Sequence, residues 1–297
     1  MAKRSRKKRK KKNKTRRKSK KRRLVRKSRK KISKKIKRAK SSRTSLEVSD
    51  DDGNSVFKVS ENWSKQAYVN KAKYQKKYNL SIKDNDKFWK KEGKRITWIK
   101  PYTKIKDVKY SKEEVKIKWF YDGTLNASAN CTDRHLKKNG KKTAIIWVGD
   151  DPTNHKRISY KELHKNVCKA ANGLKNIGVK KGDRVTIYLT MIPELVYTML
   201  ACARIGAIHS IIFGGFSPDS IATRINDCES EFLITADEGV RGGKIIPLKQ
   251  IADEALLQCP EIKKCVVVKR TGNQVSWNHE RDVFYDEITS NVSSKLK

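Results

Sequence analysis

Two cations three positions apart, Arg241 and Lys244, flank the glycine pair Gly242-Gly243. Such a loop can hold an anion, because arginine offers a planar fork of donors, lysine a point charge, and glycine a backbone without bulk. A second small-residue loop lies upstream, Phe213-Gly214-Gly215-Phe216-Ser217-Pro218, where an aromatic ring stands beside two glycines that let a ligand approach the backbone. Each loop follows a short apolar run, residues 207–213 and 232–236, and each leads into a helical pattern. Neither run alternates with polar residues, as expected of parallel strands covered on both faces. A flexible basic loop at the carboxyl end of a strand is where an open α/β sheet meets an anionic, often phosphorylated, ligand. Taken alone, a Gly-Gly between two cations is more often a solvated loop.

Self-sufficient catalytic motifs are missing from the chain. The sequence has no G-x-x-x-x-G-K-[ST] loop, no G-x-G-x-x-G fingerprint, no G-x-S-x-G elbow and no H-E-x-x-H helix. His209 sits within an apolar run and reads as a core or edge histidine. His164 falls on a helix between Leu163 and Val167, His135 and His155 lie in polar surroundings, and His279 lies in a loop. None is expected to have the Ser or Cys partner that nucleophilic catalysis needs. Asp150 and Asp151, before Pro152, read as turn caps rather than a metal pair. No catalytic residue and no metal ligand is therefore assigned.

These loops need a scaffold, and the pattern supplies one. Residues 142–148 read as a strand. Ser159 and Glu162 form a capping box before a helix whose Leu163, Val167, Ala170, Ala171 and Leu174 keep helical spacing. Gly178 supplies its left-handed cap, residues 184–189 form the next strand, and Pro193 opens the following helix. Strand and helix in alternation imply right-handed crossovers and an α/β, doubly wound sheet with flanking helices. Upstream, Tyr68, Ala72 and Tyr78 could share a face of one helix, and Ser81 with Asp84 marks the start of a second containing Phe88 and Trp89. These aromatics, with Trp98 and Trp119, read as packing anchors.

Charge divides the chain. Of the 73 Lys and Arg residues, 28 lie within residues 1–46, which hold no Asp or Glu, so that segment carries +28 of the formal +42. Its few aliphatics cannot offset the entropy of ordering, and residues 1–47 are expected to be a disordered tail. A run such as Arg4-Ser5-Arg6-Lys7-Lys8-Arg9 would attract nucleic acid, RNA or anionic lipid through phosphate charge, and without aromatics it would read no sequence. Nucleic-acid binding through this arm is the alternative function. The six cysteines are widely spaced, with no C-x-x-C pair, and are expected to be reduced and mostly buried. With no apolar run long enough for a membrane span and no signal-peptide core, a cytoplasmic location is expected.

Several segments carry a resemblance: YVNKAKYQKKYN, KWFYDGTLNASANCTDRHL, GDDP, ISYKELHKNVCKAANGLKNIGVKKGDRVTIYLTMIPELVYTMLACARIGAIHSIIFGGFSPDSIATRI and ADEGVRGGK. From about Val59 onward the chain resembles the acetyl-CoA synthetase family, AMP-forming acetate–CoA ligases of the adenylate-forming superfamily. Chains of that family are considerably longer. The resemblance implies residues 48–120 as the family's N-terminal extension and 121–297 as a partial, incomplete AMP-binding domain. It implies that the ATP phosphate loop, the acetate pocket and the catalytic lysine lie beyond Lys297, so that this chain is an N-terminal fragment, inactive alone. Coenzyme A, ATP and Mg serve the complete enzyme, with acetate as substrate, and none of them is expected to bind tightly to this fragment. What remains here, by resemblance, is the coenzyme A side. The loop of Arg241, Gly242, Gly243 and Lys244 contacts the coenzyme's 3′-phosphate, and Phe213, Gly214 and Gly215 line the path of its nucleotide. Lys244 departs from the arginine of many relatives, keeping the charge and losing the fork.

Overall fold

A computed structural model of the chain describes residues 58–296. The basic tail at 1–47, and with it the polyanion reading, lies outside the described residues. The chain divides after Asn79 into two compact units. In the first, α1 (Glu61–Gln66) and the beginning of α2 (Lys71–Lys83) bury no residue. Tyr74 and Tyr78 stack along α2 with centroids 6.1 Å apart. Tyr68, expected on the same face, instead precedes the helix and is exposed.

In the second unit Asp84 caps α3 (Asn85–Glu92), its carboxylate accepting the Lys87 N–H at 3.1 Å. Ser81, read as part of that start signal, lies inside α2. An antiparallel hairpin follows, β1 (Lys106–Tyr110) with β2 (Val115–Trp119). The aromatics of this region pack on one another: Trp89 meets Trp119 at 5.4 Å, and Trp98 meets Tyr102 at 4.8 Å and Phe120 at 5.6 Å. The Trp98 indole N–H donates to the Gly93 carbonyl at 2.8 Å, which satisfies its polar edge.

Two short helices, α4 (Ala127–Cys131) and α5 (Asp133–Asn139), lead to β3 (Thr143–Val148) and β4 (His155–Ser159). These two strands form an antiparallel hairpin of their own, so the strand expected at 142–148 is no member of the main sheet. The alternation that builds that sheet begins with α6 (Tyr160–Asn176). Its capping box is present as read, with Ser159 Oγ accepting the Glu162 N–H and Glu162 accepting the Ser159 N–H. Then come β5 (Arg184–Leu189), α7 (Pro193–Ile205), β6 (Ile208–Phe213), α8 (Pro218–Asp227), β7 (Phe232–Ala236), a small hairpin β8 (Gly239–Arg241) and β9 (Lys244–Ile246), α9 (Leu248–Leu256), β10 (Lys264–Val268), β11 (Asp282–Phe284) and α10 (Tyr285–Ser290).

The main sheet has five parallel strands in the order β11-β10-β7-β5-β6. From β5 the chain crosses to β6 on one side and then returns to β7 on the other. Right-handed crossovers therefore put α7 on one face and α8 and α9 on the opposite face, the doubly wound arrangement. The packing agrees: α7 and α10 lie against α6, and α9 lies against α8. Gly173 on α6 makes the α10 contact possible, since a Cβ there would stand 2.4 Å from the Ile288 carbonyl oxygen. All five residues of β7 are buried, as its apolar run predicts. The equally apolar β6 is not covered on both faces. It is an edge strand, and Ile208, Ile211 and Phe213 are exposed. Composition could not distinguish the two, because the difference lies in which strands pair alongside.

Two ionic clusters brace the unit. Lys249 on α9 is wholly buried, with Nζ 2.7 Å from Asp253, 2.8 Å from Asp282 and 3.1 Å from the Ser276 carbonyl. Arg281 joins both carboxylates, at 2.6 Å to Asp253 and 2.7 Å to Asp282. In the second cluster Arg204 on α7 grips Asp133 of α5 with two bonds of 2.7 and 2.8 Å. Burial alone would raise the Asp133 carboxyl. Hydrogen bonds from Arg204 and Thr132, with the charge of Arg204, more than reverse this and hold it at about 2.

A carboxyl depressed in the folded state from an ordinary 3.8 contributes stability that is complete above that value and is lost as pH falls toward 2. Allowing for the partial exposure of Asp133, about 1–2 kcal/mol should disappear over that window. Urea midpoints of parent and Asp133→Asn, followed from pH 5 downward, check this. The parent curve should fall more steeply, and parallel curves would remove Asp133 from the account.

Among the described residues no helix is long and apolar enough to cross a membrane. All six cysteines are free thiols; four are buried, Cys228 is half-buried and Cys131 is exposed. Burial pushes the thiols of Cys202 and Cys265 up to about 12, so they are packing groups rather than nucleophiles.

Candidate functional site

The switch between β5 and β7 is where an open sheet leaves a crevice at its carboxyl edge. Thr190, directly after β5, stands there, and both glycine-bearing loops close on it. A Cβ on Gly239 would lie 2.6 Å from Thr190 Cγ2, and one on Gly214 would lie 3.3 Å from the same methyl. Gly214 thus gives up its side chain so that two strand ends can meet. Gly215 turns the chain with its N–H on the Phe213 carbonyl at 2.8 Å, and Ser217 and Pro218 then start α8.

Asp237, directly after β7, is buried. Its carboxylate accepts the N–H groups of Glu238, Arg270 and Gly272 at 2.6, 2.8 and 2.7 Å. The loop after β10 is thereby tied to the sheet edge. Glu238 adds bonds from the Thr271 hydroxyl at 2.6 Å and the Asn273 amide at 2.7 Å.

From this anchored end the chain makes the β8–β9 hairpin. The segment read as a flexible basic loop is a two-residue turn with Gly242 at φ +59° and Gly243 at φ +72°. Two consecutive positive φ values are what a tight type I′ connection requires, and Gly-Gly supplies them without steric cost. Arg241 and Lys244 face each other across the turn as directly paired residues. Like charges opposed in this way repel, and an anion between them would relieve the repulsion. The Arg241 guanidinium lies over the Phe213 ring at 5.5 Å, Phe213 meets Phe216 edge-on at 6.3 Å, and Arg224 covers Phe216 at 4.6 Å. Arg241 and Phe213, predicted from two separate loops, are thus brought together, and both are exposed.

Asp150 belongs to this site although the sequence assigned it to a turn. Its two oxygens accept the N–H of Gly242 at 2.8 Å and of Gly243 at 2.6 Å. Asp151 alone caps the local turn, receiving the Thr153 N–H at 2.9 Å and hydroxyl at 2.8 Å.

His164 also departs from expectation. It does have a thiol neighbour, Cys168 Sγ, 3.5 Å from Nε2 and one helical turn away, with Asp133 Oδ1 at 3.3 Å from the same nitrogen. A relay needs a different ring nitrogen for each partner, and burial raises the Cys168 thiol. The trio is therefore structural. Among the described residues no group of His, Cys, Asp or Glu could hold a metal ion.

Comparison with known proteins bears on the family and the fold. Residues 132–292 match the model of the AMP-binding enzyme family, and residues 74–131 match that of the acetyl-coenzyme A synthetase N-terminus. The chain is 58% identical over 239 residues to acetyl-coenzyme A synthetase of Parvibaculum lavamentivorans, covering 80% of this chain and 37% of that protein. It is 56% identical over 239 residues to the enzyme of the same name from Methylocella silvestris, with the same coverage. The chain thus spans little more than a third of the length of the curated relatives it matches. In fold it is similar to acetoacetyl-CoA synthetase from Streptomyces lividans, with a TM-score of 0.65 at 22% identity, over 78% of this chain and 35% of that one.

Proposed function

We infer that this chain, which belongs to the AMP-binding enzyme family, supplies the coenzyme A side of an AMP-forming acetate–CoA ligase. The complete reaction joins acetate to ATP as acetyl-AMP with release of pyrophosphate, then moves the acetyl group to the coenzyme A thiol with release of AMP. The observation that carries this reading is the meeting of Arg241 with Phe213 at the sheet's carboxyl edge. In it, Arg241 holds the coenzyme's 3′-phosphate through its fork of donors and Lys244 adds a point charge. Gly242 and Gly243 form the turn that sets the two cations side by side. Phe213, Gly214 and Gly215 border the path of the nucleotide.

The described residues fit neither a magnesium ion nor a triphosphate. They hold no metal-binding cluster, and the sequence has no Ser/Thr/Gly-rich loop ending in Lys-Gly. In this reading ATP, Mg and acetate are held by parts of the enzyme outside these residues. The setting that goes with this reading is the cytoplasm.

A polypeptide of these 297 residues should show no acetate-dependent ATP–pyrophosphate exchange above a heat-killed control. Joined to the remaining region of a relative such as the Parvibaculum protein, it should exchange and then form acetyl-CoA. Exchange by the chain alone, or a joined protein that adenylates acetate yet fails to discriminate coenzyme A from its dephospho form, would overturn the assignment.

A further inference from the structure

We propose that Asp150 is a positioning residue for the phosphate site, holding the β8–β9 turn so that Arg241 and Lys244 present their charges in a fixed place. The proposal rests on the reading of the hairpin as a phosphate site and adds a residue from a distant part of the chain. Successive backbone N–H groups form a concavity that binds anions. At this turn the concavity is already filled, since both glycine N–H groups donate to the Asp150 carboxylate. A phosphate arriving at the hairpin therefore finds only side-chain donors free, and the carboxylate acts on the ligand through the turn it grips.

Asp150 is itself held. The Gly149 N–H donates to the Asn154 carbonyl at 2.7 Å, and the Trp147 indole, two residues earlier, donates to the Met191 carbonyl at 2.7 Å. Met191 follows Thr190 at the switch of the sheet. The hairpin tip is thus tied through β3 to the strand end its base packs against. Without Asp150 a two-residue glycine turn, whose backbone has the widest freedom of any residue type, would have no contact holding its tip. Arg241 would then leave Phe213 for part of the time, and ordering it would cost binding energy. The opposing effect is charge: a carboxylate near the site repels a phosphate. The two effects give opposite signs, so removal of the carboxylate tells which governs.

The test uses the full 297-residue chain and two probes that differ only in the 3′-phosphate, coenzyme A and 3′-dephospho-coenzyme A. Every variant carries the same basic tail, and measurement at about 0.2 M salt suppresses its sequence-independent attraction for phosphate. Asp150→Ala should cut the preference for coenzyme A by about three- to tenfold, less than the loss of a charge-assisted hydrogen bond made directly to the ligand, because the carboxylate acts only through the turn. Binding of the dephospho form should not change. Amide exchange at Gly242 and Gly243 should speed up by about tenfold or more. Asp150→Asn, which retains one acceptor oxygen, should recover part of both effects. If Arg241→Ala leaves the 3′-phosphate preference of the parent intact, or the parent has none, the phosphate reading of the hairpin fails. If Arg241→Ala abolishes the preference while Asp150→Ala leaves or increases it, the hairpin reading survives and the positioning role is overturned. Unchanged amide exchange in Asp150→Ala would overturn it as well.

Discussion

Replacing Asp282 with alanine should lower the unfolding free energy by about 3–5 kcal/mol, the usual cost of removing one partner from a buried ion pair. The side chains of Lys249 and Asp282 are both inaccessible to solvent, and their atoms lie 2.8 Å apart. The variant leaves two cations, Lys249 and Arg281, sharing Asp253 as their remaining carboxylate in the cluster. Since Asp282 opens β11 and Lys249 lies on α9, the loss should loosen the β10–β11 side of the sheet first. Burial would raise the Asp282 carboxyl, but bonds from Arg281, Asn278 and Lys249 hold it below the ordinary 3.8. Its contribution is accordingly complete above that value and lost as pH falls below it. Urea unfolding at neutral pH checks the magnitude. The double variant Lys249→Met, Asp282→Asn should be less damaging than the two single losses summed, because neither charge is then left alone. A loss under about 1 kcal/mol for Asp282→Ala would mean that water reaches the cluster.

In the enzyme completed with a relative's remaining region, Arg241→Ala should weaken coenzyme A by roughly 1.5–3 kcal/mol, the worth of hydrogen bonds to a charged group. Acetate adenylation should be nearly untouched, since the 3′-phosphate takes no part in it. Lys244→Ala should act in the same direction, by less, and mostly at low ionic strength, because a point charge on an exposed hairpin is readily screened. Dephospho-coenzyme A should erase the difference between parent and Arg241→Ala. Equal weakening of both coenzyme forms, or slower adenylation, would return the hairpin to the status of a solvated turn.

How far the sequence could be read depended on the distance over which each feature is decided. The Ser159–Glu162 capping box and the Asp84 cap were legible because the partners are three residues apart. The interior of β7 was legible because its residues are apolar throughout. β6 has the same character, yet its place at the edge is set by the return of the chain to the far side of β5. The hairpin was read as a loop because its strands are three residues each, too short for a pattern, although a Gly-Gly pair is itself a signal for a two-residue turn. The His164–Cys168 contact could have been found, as residues four apart on a helix are neighbours. Asp150 could not. Its partners lie 92 and 93 residues away, and nothing in Gly149-Asp150-Asp151-Pro152 announces them.

The strand order also bears on how the protein emerges from the ribosome. β5 and β6 are consecutive in the chain and adjacent in the sheet, and β7, β10 and β11 are then laid down one after another on the opposite flank. After that single reversal every new strand joins the one made just before it in the sheet, without prying an existing pair apart. Each addition pairs with a strand already in place instead of searching a finished chain. A parallel sheet, ordinarily slow because its contacts are distant in sequence, can here assemble at the pace of translation.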